Sequence, residues 1–340
     1  MPSGELIIGH NIALLITQTY MATGAPFHNR LPCRVSRQTL PFPQMSTQFP
    51  IRIHLPPKML QEAQNGAHNF LGKVEGALKK RGHLIEYCPN DVISLAQSAD
   101  YPGYSLFHME NPFHPRALNM RPSGFSPFWR IETSDARWEW QIAHEAFDPK
   151  TVDSKAATAF TDRWRRWRYH AEPEDAYRGN FVYVPLQGKL DAHRSFQTMS
   201  PFEMIDCVIK AEPERRIVIT THPNEEYTND EREKLAALAL KHERVLLGCD
   251  YVVAQNSSVA FAGYFHHKPA LLFAKIDFNH IAVNVEETGV KAGFEAVRGA
   301  EPAYDQHIHW FLKDTAINAG SDDAGGRIIA ALHAKGWSDI

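Results

Sequence analysis

The chain has 340 residues, 44% hydrophobic and 22% charged, a balance typical of a globular protein that excludes an intrinsically disordered one. Its 36 Lys and Arg against 39 Asp and Glu give a net charge of -3, so no basic surplus points to a nucleic-acid partner. The 4 cysteines are far apart and form no C-x-x-C pair. This pattern argues against a disulfide scaffold or a zinc ribbon and favours a reducing, cytoplasmic compartment. A chain of this length predicts two domains.

The first residues predict a loose extension over 1–50, because prolines recur between 26 and 50 without any periodic pattern. Met45 is a candidate for the natural start, which would make the preceding residues a mis-assigned leader.

From residue 51 to 172 we predict a first domain in which strands alternate with helices. Its predicted strands are Ile51–Leu55, Leu84–Cys88 and Tyr104–Met109, and its predicted first helix is Met59–Arg81. Residues 111–130, rich in Pro, Gly and aromatic residues, predict a long lid-like loop.

A helix is predicted over Asp153–His170, and it carries four arginines interleaved with two tryptophans. One interpretation is a patch that contacts a membrane surface or RNA. The interpretation we favour is one apolar stripe facing the core, flanked by arginines. That stripe consists of Ala157, Phe160, Trp164 and Trp167. The polar run over residues 171–179 predicts the linker between the domains.

The second domain, predicted over 173–340, repeats the alternation of strand and helix more clearly. Ser200-Pro201-Phe202-Glu203 is a capping box with proline at the first helical position, and it predicts a helix that ends near Ala211. Predicted strands are Phe181–Leu186, Arg216–Thr220, Tyr251–Ala254 and Ala270–Ala274, and predicted helices include 229–242, 257–265, 304–317 and 323–335. Such alternation predicts an α/β protein with parallel sheets covered by helices on both faces. We therefore expect two Rossmann-like domains facing a cleft.

Polar residues follow three of the predicted strands of the second domain. These segments are Gln187–Asp191, His222–Glu225 and Gln255–Ser258. Ligands of parallel sheets gather at the carboxyl ends of the strands, and the free N–H groups of a helix N-terminus bind phosphate. Serine and asparagine are also ordinary N-cap residues, so this alternative stays open for the third segment.

The motifs of the second half resemble those of bacterial capsule polysaccharide biosynthesis proteins of the Kdo-transferase type. They are Phe181–Gln187 followed by Asp191, Thr221-His222-Pro223, Asp250–Val253 running into Asn256–Val259, and Lys268-Pro269. The resemblance covers roughly residues 180–280 and implies a GT-B-like glycosyltransferase. It also implies a CMP-activated acidic sugar as donor, a glycan or glycolipid acceptor, and no metal or other cofactor.

The resemblance further implies roles for individual residues. His222 and Pro223 of the His-Pro motif would contact the nucleotide, together with Gln187 and Asn256. Ser257 and Ser258 would hold the phosphate, and Asp191 would be the catalytic carboxylate. A carboxylate suits an oxocarbenium-like transition state, and donors on the phosphate suit the departure of CMP. A peripheral association with the inner membrane fits such an enzyme, while no sequence feature indicates an oligomeric state.

Two alternatives from other classes remain. The first is a non-catalytic nucleotide- or glycan-binding protein of the same fold, because the chain has Ala262 where the family usually carries a glutamate. The second, less favoured, is a metallohydrolase that uses some of the 18 histidines, such as His307 and His309. A metal centre of that kind needs about three converging ligands and a carboxylate.

Overall fold

The computed structural model describes residues 49–222, 225–236 and 245–340. Met45 and nearly all of the predicted extension lie outside these residues. The described strands are β1 Ile51–Leu55, β2 Ile85–Pro89, β3 Ser105–His108, β4 Ala117–Pro122, β5 Phe128–Glu132, β6 Phe181–Pro185, β7 Arg216–Thr220, β8 Tyr251–Ala254, β9 Ala270–Leu272, β10 Val283–Asn284 and β11 Ile317–Asn318. They form two sheets.

Helices connect these strands in both halves. The described α-helices are α1 Pro57–Gln64, α2 Asn69–Lys79, α3 Val92–Gln97, α4 Gln141–His144, α5 Ser154–Tyr169, α6 Pro201–Ala211, α7 Asn229–Ala236, α8 Val245–Gly248, α9 Ser258–Tyr264, α10 Val285–Thr288, α11 Val290–Arg298, α12 Tyr304–Ile308 and α13 Ala324–Ala334. A π-helical segment, His309–Asp314, continues α12. The alternation of strands and helices confirms the predicted α/β class.

The first sheet has six strands in the order β11-β5-β4-β3-β1-β2. Strands β1 to β4 run parallel, whereas β5 is antiparallel to both of its neighbours, β4 and β11. Strand β4 and the start of β5 lie within residues 111–130, so the predicted long loop is wrong there. A turn at Gly124, whose φ of +77° suits glycine, joins the two strands.

Two further details of the first half differ from the prediction. The single helix predicted over Met59–Arg81 is two helices, α1 and α2, which are separated by a turn with Gly66 at φ +67°. The end of the chain also returns to the first sheet, although the predicted boundary assigned it to the second domain. Ile317, Ile328, Leu332 and Trp337 are buried in the same core cluster as Ile53, because β11 pairs with β5 and α13 packs nearby.

The second sheet has five strands, all parallel, in the order β10-β9-β8-β6-β7. Successive side chains of a strand point to opposite faces, and both faces of this sheet are apolar. Val182 and Val184 pack with residues of α6, α7 and α11, whereas Phe181 and Tyr183 pack with residues of α9 and α12. Helices therefore cover both faces, as predicted.

Helix α5 buries one side, which agrees in part with the predicted apolar stripe. Ala157 and Trp164 are buried and Phe160 is half-buried, but Trp167 is 59% exposed. The buried side instead includes Arg165, which is 1% exposed, so the buried face turns away from Trp167.

Candidate functional site

Three of the predicted site residues follow the carboxyl ends of the neighbouring strands β8, β6 and β7. Pro185 pairs with Thr220, and Tyr183 pairs with Val252, so Pro185, Thr220 and Ala254 are level across the three strands. Gln187, His222 and Asn256 each follow this line by two residues, and all three are half-buried. Adjacent strands are roughly 4.8 Å apart. The three residues therefore lie side by side, just beyond the carboxyl ends of β8, β6 and β7. We call this end of the sheet the carboxyl edge.

Helix α9 begins at the same edge. Ser257 is its N-cap, and its Oγ accepts a hydrogen bond of 3.3 Å from the backbone N–H of Val259. The side chain is nearly buried, whereas Ser258, the first residue of the helix, is exposed. The N-cap interpretation is therefore correct for Ser257. Its own O–H donates to no residue that the structure describes, so the hydroxyl can still donate to a ligand.

Asp191 is in a different environment from these residues. Its side chain is 74% exposed, and its carboxylate lies 3.8 Å from Nζ of Lys234 on α7. The preceding residue, Leu190, is buried and donates its N–H to Glu231 Oε1 at 3.0 Å, which ties this part of the loop to α7. Asp191 thus lies on a part of the loop that contacts α7, and its role stays a prediction. Pro223 lies outside the described residues.

A second carboxylate, that of Glu225, lies beside the loop that follows β6. A Cβ atom at Gly188 would be 2.2 Å from Glu225 Oε2, so the carboxylate packs against the glycine backbone. The backbone N–H of Glu225 also donates to the carbonyl oxygen of His222 at 3.3 Å. Sequence analysis noted Glu225 after the His-Pro motif but assigned it no role. The sequence feature that could have indicated a role for Glu225 is its position three residues after His222.

A loop over residues 194–199 lies across the ends of β8 and β9. Thr198 donates from its backbone N–H and its Oγ1 to the carbonyl oxygen of Phe273, both at 2.9 Å, and Gln255 Nε2 donates to the carbonyl oxygen of Met199 at 3.0 Å. Several buried polar atoms here have no hydrogen-bond partner among the described residues. They are Nε and Nη2 of Arg194, Nε2 of Gln197 and Oε1 of Gln255. Buried polar atoms are normally paired, so this edge is equipped for a polar ligand.

The guanidinium of Arg194, which supplies two of these unpartnered atoms, also adds a positive charge to the carboxyl edge. Burial lowers the pKa of its guanidinium, while the nearby carboxylate of Glu225 acts in the opposite direction. The ring of Phe196 lies 5.0 Å from the guanidinium carbon. The loop thus presents a cation and an aromatic ring next to the strand ends.

The first half of the chain contacts this edge after β5. Arg137 Nη2 lies 2.6 Å from Oδ1 of Asp277, which follows β9 and is fully buried. Trp138 stacks on Phe196, with ring centroids 4.4 Å apart. Burial also lowers the pKa of Arg121, and Arg137 lowers it further, whereas Asp277 raises it. Charged and aromatic side chains from both halves therefore meet at the carboxyl edge.

No group of three or more His, Cys, Asp or Glu side chains in residues 49–222, 225–236 and 245–340 could hold a metal ion. No helix within these ranges is both long and apolar enough to cross a membrane.

No protein-family model matches the chain, and no curated protein matches its sequence. Among solved structures, it is similar to the beta Kdo 2,7 transferase of Thermosulfurimonas dismutans KpsC, with a TM-score of 0.47, 11% identity, and coverage of 84% of this chain and 100% of that one. The beta Kdo 2,4 transferase of the same KpsC follows, with a TM-score of 0.38, 11% identity, and coverage of 76% and 88%. An alpha1,3-fucosyltransferase has a TM-score of 0.37, 11% identity, and coverage of 85% and 91%.

The two Kdo transferases are of the type that the motifs of the second half resemble. The strand order and pairing of the two sheets show the α/β class.

Proposed function

We propose that the chain is a glycosyltransferase that transfers an acidic, Kdo- or sialic-acid-like sugar from a CMP-activated donor to a capsule or envelope polysaccharide acceptor. The observation that carries the proposal is that Gln187, His222 and Asn256 lie side by side at the carboxyl edge, next to the start of α9. Each is two residues beyond the paired ends of its strand. These residues belong to the motifs behind the sequence resemblance. Ligands of open parallel sheets bind outside this end of the strands.

The chemistry of the edge suits the departure of a nucleoside monophosphate. The His222 imidazole, the Asn256 amide and the Ser257 hydroxyl can donate hydrogen bonds to a phosphate, and Ser258 and Gln187 extend this set. Donors aimed at the leaving phosphate stabilise the negative charge that develops there. In the proposal Pro223 shapes the turn after His222, and neither a metal nor another cofactor takes part.

Sugar transfer also needs a carboxylate near the anomeric carbon, as base or as nucleophile. The sequence resemblance favours Asp191 for this role. Glu225 is the second candidate, since it lies against Gly188 and close to His222. Substitution can distinguish Asp191 from Glu225, because only one of these carboxylates should be needed for transfer.

A non-catalytic protein that binds a nucleotide or a glycan is the second candidate function. The observation that favours it is the exposure of Asp191, whose carboxylate lies near Lys234. A protein without a working carboxylate would bind CMP but would not transfer the sugar.

Titration with CMP, UDP and GDP tests both functions. We expect CMP alone to bind, and at 100-fold excess over Kd it should stabilise the fold by about 2.7 kcal/mol. His222→Ala should weaken CMP binding about 10-fold, whereas Lys291→Gln, an exposed position on α11, should leave it unchanged. Absence of stabilisation by any of the three nucleotides would refute both candidate functions.

Release of CMP from CMP-Kdo or CMP-sialic acid, with a glycan acceptor present, tests the transfer. We expect Asp191→Asn or Glu225→Gln to abolish the release while leaving CMP binding intact, which identifies the carboxylate. CMP binding without release in the unsubstituted protein would instead favour the non-catalytic candidate.

We propose that the reaction takes place in the cytoplasm, at the surface of the inner membrane. We expect the native protein to sediment with membranes and to be released by high salt, because peripheral attachment is largely electrostatic. Recovery only in the soluble fraction at low salt would contradict this part of the proposal.

A further inference from the structure

A cavity of about 280 Å³ lies at the opposite end of the second sheet, where β6, β8 and β9 begin. We call this end the amino edge. It is separated from the carboxyl edge by strands of three to five residues, a length of roughly 10–16 Å. Five basic side chains line the cavity: Arg165, Arg178, His266, His267 and Lys268. No role was assigned to this cavity by sequence analysis.

Lys268 is the central observation. It is 5% exposed, and its Nζ donates a hydrogen bond of 2.6 Å to the carbonyl oxygen of Tyr177. No carboxylate of the described residues lies within ion-pair distance of this ammonium group. Burial lowers its pKa, although Cys249 and Asp250 act in the opposite direction. Buried charges in proteins are normally paired, so an ammonium without a carboxylate points to an external anion.

His266 supplies a second, independent observation. It lines the same cavity and is 5% exposed, and its Nδ1 has no hydrogen-bond partner among the described residues. A buried ring nitrogen without a hydrogen-bond partner in the protein needs a ligand or a water molecule as its partner. The ring nitrogen without a hydrogen-bond partner and the ammonium without a carboxylate thus border one cavity.

The other basic groups differ in how far they are neutralised. Arg165 forms an ion pair with Asp162, and His267 Nε2 lies 3.0 Å from Oδ1 of Asp305. Arg178 is exposed and forms no ion pair with the described residues. The acid of the linker that faces His266 is Asp175, whose Oδ2 accepts a hydrogen bond from the backbone N–H of Glu172.

We propose that this cavity binds a phosphate group through Lys268, Arg178 and His266. A phosphate offers several acceptor oxygens, which match an ammonium, a guanidinium and an imidazole. The volume exceeds that of one small ion and leaves room for the molecule that carries the phosphate. That molecule is a soluble phosphate compound or a phospholipid headgroup. The proposal does not depend on the proposed transferase activity, since the two sites are at opposite edges.

Calorimetric titration with inorganic phosphate is the first test. We expect saturable binding that Arg178→Gln and Lys268→Met each weaken at least 10-fold, because both remove a cationic donor. Arg178 is exposed, so its variant should keep the fold even if the Lys268 variant does not. The matched control is Arg216→Gln, which changes an exposed arginine at the start of β7 and should bind as before. Equal phosphate binding in the Arg178 variant and in the unsubstituted protein would overturn the proposal.

Co-sedimentation with vesicles distinguishes the two sources of phosphate. Vesicles of phosphatidylcholine with 20 mol% phosphatidic acid are compared with phosphatidylcholine alone, at about 0.15 M salt to screen surface charge. Vesicle binding that Arg178→Gln abolishes identifies a lipid headgroup, whereas binding of inorganic phosphate alone identifies a soluble ligand. Binding of neither probe would overturn the proposal.

The ring of His266 gives a readout inside the cavity. The pKa of His266 is lowered to about 4 by burial and by the charges of Arg165, Lys268 and His267, while Asp175 acts in the opposite direction. A bound anion offsets those positive charges, so saturating phosphate should raise this pKa in an NMR titration. Assignment of the signal uses His266→Gln. An unchanged pKa at saturation would mean that phosphate binds elsewhere.

Discussion

The two edges of the second sheet neutralise buried charge in different ways. At the carboxyl edge, the buried carboxylate of Asp277 lies 2.6 Å from Arg137, which the other half of the chain supplies. At the amino edge, the buried ammonium of Lys268 donates to the carbonyl oxygen of Tyr177 and has no carboxylate partner among the described residues. The protein therefore provides its own counterion where its halves meet. At the amino edge, the described residues supply no such counterion to Lys268, which is why we propose an external anion there.

Arg137→Met should give the largest effect on stability. It removes the ion-pair partner of the buried Asp277 carboxylate, and breaking a buried pair from one side costs about 3–5 kcal/mol. The free energy of unfolding from urea denaturation should fall by this amount. The double variant Arg137→Met/Asp277→Leu should recover most of the loss, since replacing both partners removes the unpaired charge. Additive losses in the double variant would show that the pair is not the cause.

Lys268→Met is the matched comparison at the other edge. In buffer without phosphate it should change the free energy of unfolding by no more than about 1 kcal/mol, since an apolar side chain replaces an unpaired buried charge. A loss as large as that of Arg137→Met would show that Lys268 has a counterion within the protein, and the contrast between the edges would disappear.

Acid should destabilise the amino edge through His266. Its pKa of about 4 in the folded protein is below the ordinary value of 6.5, so the unfolded chain binds more protons between these pH values. The stability contribution is thus fully present above about pH 6.5 and is lost as the pH falls toward 4. His266→Gln should flatten the pH dependence of the unfolding free energy by up to about one proton in this window.

Another histidine serves as a reference for this measurement. Burial also lowers the pKa of His108, at the end of β3, to about 4, with smaller contributions from His68 and Arg121. His108→Gln should therefore flatten the same window, whether phosphate is present or not. Phosphate should reduce the contribution of His266 only. A slope that responds to phosphate in the His266 variant would refute this assignment.

The second sheet was the more predictable of the two because local signals define its elements. The capping box Ser200–Glu203 begins α6, with reciprocal hydrogen bonds between the two residues, and the helix ends at Ala211 as predicted. In the first sheet, β4 was missed because Pro112, Pro115 and Gly124 around it suggest a loop. Strand β11 has only two residues, too short for a recognisable pattern, so the return of the chain end was missed as well.

The site could be predicted only as far as strand order follows from sequence. Gln187, His222 and Asn256 share an edge because each follows a parallel strand, which the alternation of elements already implies. Asp191 lies farther along its loop, where the path depends on the contact of Leu190 with Glu231. The cavity beside Lys268 combines residues from α5, the linker and the end of α9, and no spacing in the sequence indicates such a meeting.

The smallest predicted effect separates a structural serine from a ligand-binding one at the carboxyl edge. Ser200 and Ser257 are both N-caps, and each Oγ accepts a hydrogen bond of 3.3 Å from the helix backbone. Replacing either by alanine should lower the free energy of unfolding by about 1 kcal/mol. Only Ser257→Ala should also weaken CMP binding in calorimetry, because Ser200 is outside the proposed nucleotide site, and Ser257→Thr should restore both properties. If both alanine variants bind CMP as the unsubstituted protein does, Ser257 is a helix cap and nothing more, and the proposed phosphate site at the start of α9 loses its central donor.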